Sequence, residues 1–188
     1  MALSPLGRLA TVALAGLAFT ACASMDVRSF VERGVDFTQF RTYDWAATEA
    51  RATGDPRLDN NPFFHERVRA DVERELAKRG FEKTTSGTPD VQLHYYASVT
   101  QELNLNGMDQ PYTLNATDRA YTRCNNCEPF VYDAGTLMVD LVDTRTNRLA
   151  WRGWAEGSID GMVDNQEWME ERIAESVARI MERLPRRF

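Results

Sequence analysis

Hydrophobic and polar residues alternate with a period of two in three segments of the chain, which predicts β-strands. The segments are residues 90–99, 135–143 and 149–157, and the polar residues 143–148 between the last two predict a hairpin turn. Two earlier strands are predicted near residues 26–30 and 40–45. One face of the predicted sheet carries Val91, Leu93, Tyr95, Leu137, Val139, Leu141, Leu149, Trp151 and Ala155.

Two other segments place apolar residues at helical spacing. In the first, Phe64, Val68, Val72 and Leu76 recur every four residues, and the segment begins after Asn61 and ends at Gly80. The second runs from about residue 164 to 184, and Pro185 ends it. Its apolar side is formed by Met169, Ile173, Val177, Ile180, Met181 and Leu184.

The order of these elements predicts an α+β fold. Two amphipathic helices can cover one face of a mostly antiparallel sheet of about five strands, which gives a two-layer sandwich. Residues 100–133 show little periodicity and are predicted to form a long loop inserted into the domain.

The N-terminal segment has the features of a bacterial lipoprotein signal. Arg8 precedes a mostly apolar run at residues 9–19, which is shorter than the roughly 20 residues that a membrane-spanning helix needs. Thr20 and Ala21 are small and precede Cys22, so the pattern resembles a lipobox. We expect residues 1–21 to be a signal peptide and Cys22 to be lipidated; the alternative is an ordinary secretory signal with an unrelated cysteine.

This prediction determines the expected domain organisation and location. Residues 22–185 would form one α+β domain, and residues 186–188 a short C-terminal tail. Ala23, and not Asp, follows the cysteine, which by resemblance to lipoproteins of Gram-negative bacteria favours the outer membrane. The lipid anchor would then hold the domain at that membrane, facing the periplasm.

The chain carries 22 basic and 28 acidic residues, a formal net charge of −6. An acidic domain has no electrostatic reason to bind nucleic acid, so we expect no nucleic-acid partner.

The pair Cys124 and Cys127 is the best candidate for chemistry. In an oxidising compartment we expect a structural disulfide that closes a small loop. Two alternatives are a redox-active thiol pair and half of a metal site, for which only His65 and His94 remain as further histidine ligands. Acidic residues near the predicted hairpin, including Asp140, are interpreted as surface charge, turn-forming residues or helix caps. With no complete catalytic signature, we predict no enzymatic activity, no catalytic residue, no metal and no cofactor apart from the covalent lipid on Cys22.

Several segments together resemble a known family. These are residues 40–45 (Phe-Arg-Thr-Tyr-Asp-Trp), the helix at 68–81, the strand at 135–143 and the sequence Trp151-Arg152-Gly153. They are similar to the bacterial envelope lipoproteins grouped as domain of unknown function 4136. The resemblance implies an envelope lipoprotein with an α+β fold. It implies no activity and supplies no catalytic residues.

The second face of the predicted sheet is unusually apolar for a face in water. It carries Tyr96, Met138, Val142 and Trp154, beside His94. We interpret these four residues as a candidate binding surface for an envelope protein or lipid; the alternative is that the loop 100–133 folds over them.

The expected function is therefore a membrane-anchored, non-catalytic binding or assembly module. The alternatives are a periplasmic thiol-redox or metal-dependent enzyme using Cys124 and Cys127, and a lipid carrier with its ligand between sheet and helices.

Overall fold

The computed structural model describes residues 25–47, 52–104 and 130–186. Cys22, Cys124 and Cys127 lie outside these ranges, so the predicted lipidation site and disulfide are not described. The strands are β1 (Asp26–Val31), β2 (Thr42–Trp45), β3 (Glu82–Lys83), β4 (Val91–Asn104), β5 (Phe130–Asp143) and β6 (Arg148–Ser158). The helices are α1 (Pro56–Asp59), α2 (Pro62–Lys78) and α3 (Gln166–Glu182), and a short 3-10 turn spans Phe37–Gln39.

The six described strands form one sheet in the order β1-β6-β5-β4-β2-β3. The pairs β1–β6, β6–β5 and β5–β4 are antiparallel, whereas β2 is parallel to both β3 and β4. The fold is α+β as predicted, but the sheet is mixed and has one strand more than expected. The short strand β3 has only two residues, too few for a periodic pattern to show.

The parallel pairing of β2 with β4 is held by a carboxylate. Asp90, just before β4, accepts hydrogen bonds at Oδ2 from the backbone N–H groups of Arg41 (2.8 Å) and Thr42 (2.9 Å). The Thr42 hydroxyl donates to the same oxygen at 3.0 Å. Burial raises the pKa of Asp90, but these donors, with the charge of Arg145, outweigh it and hold the pKa below its usual value.

Strands β4 and β5 continue into the segment predicted to be a loop. Residues 100–104 pair with residues 130–134 in the β4–β5 ladder. Strand β6 pairs with β5 only as far as Ala134, so the ends of β4 and β5 extend beyond β6 as a two-stranded ribbon. The undescribed part of the predicted loop is residues 105–129.

Helix α2 begins where the sequence predicts, and α3 begins within two residues of its predicted start. The Asn61 side chain accepts from the backbone N–H of Phe64 and caps α2 at Pro62, and Asn165 caps α3 in the same way through Trp168. Gly80 follows α2 with φ of 74°, a left-handed conformation that favours glycine at a helix end.

The core lies between the sheet and the two long helices. One hydrophobic cluster joins the apolar stripes of α2 and α3 to one sheet face, which we call the core face. Fully buried members are Val68, Leu76, Val91, Leu93, Val139, Leu141, Trp151, Val177 and Ile180.

A β-bulge changes one predicted position. The register between β5 and β6 shifts at Leu141 and Val142, so Leu141 lies opposite Trp151 while Val142 lies opposite Leu149. Ala150 is the extra residue and is buried. The prediction that Leu149 shares the face of Trp151 is therefore wrong, because a one-residue bulge moves Leu149 to the other face.

The Trp151-Arg152-Gly153 sequence has a packing explanation. The Trp151 side chain is fully buried and its ring lies over Gly153 on the core face. A Cβ atom at Gly153 would meet Trp151 ring carbons at 2.4 and 2.5 Å and the Ile180 Cγ2 atom of α3 at 2.8 Å. A glycine is needed here because the indole ring and α3 occupy the space of a side chain.

Candidate functional site

The sheet face opposite α2 and α3, which we call the outer face, holds the four predicted binding residues in cross-strand rows. The first row is Tyr96 on β4, Met138 on β5, Trp154 on β6 and Arg28 on β1. Tyr96, Met138 and Trp154 are partly buried and adjacent in this order, so they form a continuous strip that we call the aromatic row. The structure therefore brings together three of the four predicted residues.

The next row is polar. It places His94 opposite Asp140, Asp140 opposite Arg152, and Arg152 opposite Phe30. The Arg152 guanidinium donates two hydrogen bonds to the Asp140 carboxylate, from Nε to Oδ1 at 2.7 Å and from Nη2 to Oδ2 at 2.6 Å. These bonds raise the pKa of Arg152 against the opposing effect of burial. The result is a fixed, bidentate ion pair across two strands.

The outcome for Asp140 differs from the sequence interpretation. The side chain is only 5% exposed, whereas that of Arg152 is 37% exposed. Asp140 is thus a buried partner of Arg152 and not surface charge. The sequence shows that residues 140 and 152 carry opposite charges. Only the pairing of β5 with β6 shows that they are neighbours.

Val142 lies apart from the other three predicted residues. It is in a third row with Gln92 on β4 and Leu149 on β6. The row of Asp140 and Arg152 separates it from the aromatic row. The outer face therefore carries apolar side chains in two rows, which the polar row of Asp140 and Arg152 separates.

The sequence reasoning missed two apolar residues of this face. Leu149 joins Val142 because of the bulge, and Phe30 on the edge strand β1 is 46% exposed. Phe30 shares its face of β1 with the charged residues Arg28 and Asp26, so no clear apolar pattern indicated that face. The outer face extends across β4, β5, β6 and β1.

His94 and Tyr96 add an aromatic stack at the edge of the aromatic row. Their rings are nearly parallel, at 7°, with centroids 6.4 Å apart. Residues two apart on a strand share a face, so this contact is a direct result of the strand geometry.

The two histidines lie on different sides of the sheet. His65 of α2 faces the core, where its Nδ1 atom is 2.6 Å from the hydroxyl oxygen of Tyr95; burial raises the pKa of Tyr95. His94 lies on the outer face. The structure does not bring them together, and within residues 25–47, 52–104 and 130–186 no group of three metal-binding side chains is found.

A cleft opens between the sheet and the helices. Its space is about 490 Å³ when the open solvent at its mouth is counted, but the volume comparable with that of a closed cavity is only about 50 Å³. The lining is mainly apolar and includes Met25, Phe64, Ala97, Val99, Ile159 and Ile173. Two charged residues, Glu156 and Arg172, also contribute to the lining.

None of the helices in the part of the chain that the structure describes is long and apolar enough to cross a membrane.

The fold and the site define an α+β domain whose two long helices cover one face of a six-stranded sheet. The model of the family described as domain of unknown function 4136 matches residues 27–186. The chain belongs to this family, which confirms the resemblance found in the sequence. No curated protein matches the chain significantly.

Solved structures give distant similarities. A PDZ domain protein from Parabacteroides distasonis is similar over 87% of this chain, with 14% identity and a TM-score of 0.53. The chain spans only 37% of the length of that protein, and the similarity concerns the fold alone. A PelC dodecamer from Paraburkholderia phytofirmans matches with 10% identity and a TM-score of 0.48, over 88% of this chain and all of the PelC chain.

Proposed function

We propose that this chain is a lipoprotein anchored through Cys22 to the outer membrane, and that it acts there as a non-catalytic binding or assembly module facing the periplasm. The outer face of the sheet, centred on the aromatic row, is its binding surface for an envelope protein. The short apolar segment at residues 9–19 and the lipobox-like residues that end at Cys22 support the location.

The observation that carries the binding role is the composition of the outer face. Tyrosine, methionine, tryptophan and arginine are enriched at the centres of protein interfaces. Tyr96, Met138 and Trp154 lie side by side, and Arg152 lies in the next row. The Asp140–Arg152 pair is already formed, so a partner would meet a fixed arrangement of groups and would not have to order them.

The anchor and the binding surface need separate tests. The anchor is tested by the intact mass of the protein extracted gently from the cell envelope. A chain that begins at Cys22 and carries acyl mass is expected; a chain without acyl mass would refute the membrane anchor while leaving the binding surface open.

The binding surface is tested by cross-linking in intact cells followed by purification of the protein with its partners. We expect Trp154→Ala and Tyr96→Ala to reduce the yield of the cross-linked partner, because each removes part of the aromatic row. Trp168→Ala is the matched control, since Trp168 is 47% exposed on α3 and lies in the helix layer. Equal yields from the two outer-face variants and the wild type would refute the proposed surface.

A further inference from the structure

We infer that the free edge of β1 belongs to the binding surface, and that an extended segment of the envelope protein partner pairs with this edge as an added strand. The inference rests on the proposed function and deepens it, because it states how the chain of the partner binds. The edge adjoins the outer face and offers backbone groups that the face itself does not.

Strand β1 lies at one edge of the described sheet, where only β6 adjoins it. The backbone N–H of Glu32 donates to the carbonyl oxygen of Ala150 at 3.0 Å, so the even-numbered residues of β1 direct their backbone groups towards β6. The N–H and C=O groups of Val27, Ser29 and Val31 therefore point away from β6. Within the described ranges no strand pairs with them.

The side chains at this edge are apolar and exposed on both faces. Phe30 is 46% exposed and Val31 is 42% exposed, and they are two of the four large apolar residues that are exposed in the described ranges. Consecutive residues of a strand point to opposite faces, so Phe30 is on the outer face and Val31 is on the core face. A partner on one face alone would cover only one of them. A strand beside β1 covers both, because its own side chains alternate in the same way.

The opposite edge of the described sheet differs in length and charge. Strand β3 has only two residues, Glu82 and Lys83, and both are charged and exposed. Short length and charge protect a sheet edge from pairing with another chain. Strand β1 has six residues, and its two charged residues, Asp26 and Arg28, form an ion pair with each other. The remaining part of this edge is uncharged and open to pairing.

The edge also continues the outer face. Arg28 ends the aromatic row, and Phe30 ends the row of Asp140 and Arg152. An added strand would lie about 4.8 Å beyond β1 and would extend both rows. The partner would then contact the outer face and the edge together.

The position of the proposed anchor favours a different protein over a second copy of this chain. A second copy would extend the sheet by pairing its β1 antiparallel about a two-fold axis, so the two N-termini would leave the strand pair at opposite ends. One membrane would then have to hold anchors at both ends. We therefore assign the edge to a segment of another protein, with apolar residues opposite Phe30 and Val31.

The test places a photoreactive residue on each face of the edge. In the full chain, p-benzoylphenylalanine replaces Phe30 in one variant and Val31 in another, and intact cells are irradiated. The cross-linked peptides are identified by mass spectrometry. We expect both variants to be joined to the same protein, at positions within about two residues of each other, because one strand passes both side chains.

A proline substitution separates backbone pairing from side-chain contact. Ser29→Pro removes an N–H that points to the free edge, where a strand tolerates proline. It should lower the cross-link yield from the Phe30 position about threefold to tenfold, the net contribution of one hydrogen bond. Lys83→Pro is the matched control and should leave the yield unchanged. The N–H groups of Glu82 and Thr84 donate towards β2, so that of Lys83 points away from the sheet.

The remaining outcomes overturn the inference in distinguishable ways. Cross-links from only one of the two positions, or to two different proteins, would exclude a single added strand and leave the outer face as the binding surface. An unchanged yield with a folded Ser29→Pro would exclude backbone pairing, and the two-position result decides the inference where that variant fails to fold.

Cross-links to a second copy would make the edge a contact between copies of this chain. Cross-links to lipid alone, or to nothing, would leave no protein at the edge. The comparison of Trp154→Ala and Tyr96→Ala with the wild type then shows whether the proposed binding surface fails as well.

Discussion

The substitution Gly153→Ala gives the sharpest test of the packing in this fold. Glycine inside a strand normally costs roughly 0.5–1 kcal/mol relative to alanine, so a generic strand position would be stabilised by this change. Here the added Cβ would lie 2.4 and 2.5 Å from Trp151 ring carbons and 2.8 Å from Ile180 Cγ2, whereas ordinary contacts begin near 3.4 Å. The ring must move by about 1 Å in a core that holds it fully buried.

Overpacking of this kind costs typically about 1–3 kcal/mol. Because Trp151 is closed in by both the sheet and α3, we expect a loss of about 3 kcal/mol in the free energy of unfolding. For a chain of this size, that corresponds to a fall of roughly 6–12 °C in the melting temperature. Urea denaturation followed by circular dichroism measures the loss, and the slope with urea should be unchanged.

A double-mutant cycle identifies the cause. Trp151→Phe removes the ring atoms that the new Cβ would meet, and it removes an indole N–H that has no hydrogen-bond partner among the described residues. In that background Gly153→Ala should cost less than about 1 kcal/mol, which gives a coupling energy of about 2 kcal/mol. Ser29→Ala, opposite Gly153 on β1, is the control and should change stability by no more than about 0.5 kcal/mol. Equal costs of Gly153→Ala in both backgrounds would refute the reasoning.

The other predictions concern charge. The lowered pKa of Asp90 means that its ionised form stabilises the fold above the usual value of 3.8 and that this contribution is lost as the pH falls through the folded-state pKa. Asp90→Asn should therefore lower the urea midpoint at pH 7, and the difference from wild type should shrink below about pH 4; a constant difference would contradict this. Arg152→Leu leaves Asp140 buried without its partner and should cost about 2–4 kcal/mol, most of which a second change, Asp140→Leu, should restore; no recovery in urea unfolding would argue against the pair. Burial raises the pKa of Tyr43 to about 12, so in a spectrophotometric titration its phenol should ionise after those of exposed tyrosines.

The faces of the central strands could be predicted from the sequence because they have one buried side. In β4 and β5 the recurrence of Val91, Leu93, Val139 and Leu141 at every second position gave the correct core face. The helices were predicted equally well, since both have apolar residues at helical spacing, and Asn61 caps the first of them. In each case a local pattern reflects burial directly.

The features that the sequence did not predict depend on contacts between distant segments. The bulge that moves Leu149 to the outer face arises from the pairing of β5 with β6. The alternation of apolar and polar residues along β6 does not reveal it. The parallel β2–β4 pair depends on Asp90, which bonds to residues almost fifty positions earlier. Residues 100–104 were assigned to a loop because their sequence, Thr-Gln-Glu-Leu-Asn, shows no alternation of apolar and polar residues.

The candidate site was predicted in part for the same reason. Tyr96, Met138 and Trp154 follow from strand alternation and lie together as expected. The ion pair of Asp140 and Arg152 was missed because two opposite charges twelve residues apart are common, and only the hairpin register pairs them.

The ribbon formed by β4 and β5 has a consequence for the anchoring that we propose. Asp26, at the start of β1, lies in the same row of the sheet as Ser98. From Ser98 to Asn104 the strand advances about 20 Å towards the end of the molecule at which the N-terminal segment enters. The segment from Cys22 to Asp26 reaches at most about 14 Å. Under the proposed anchoring at Cys22, the described ribbon would reach at least as far as the tether, and this length would restrict the orientations that the domain can take on the bilayer.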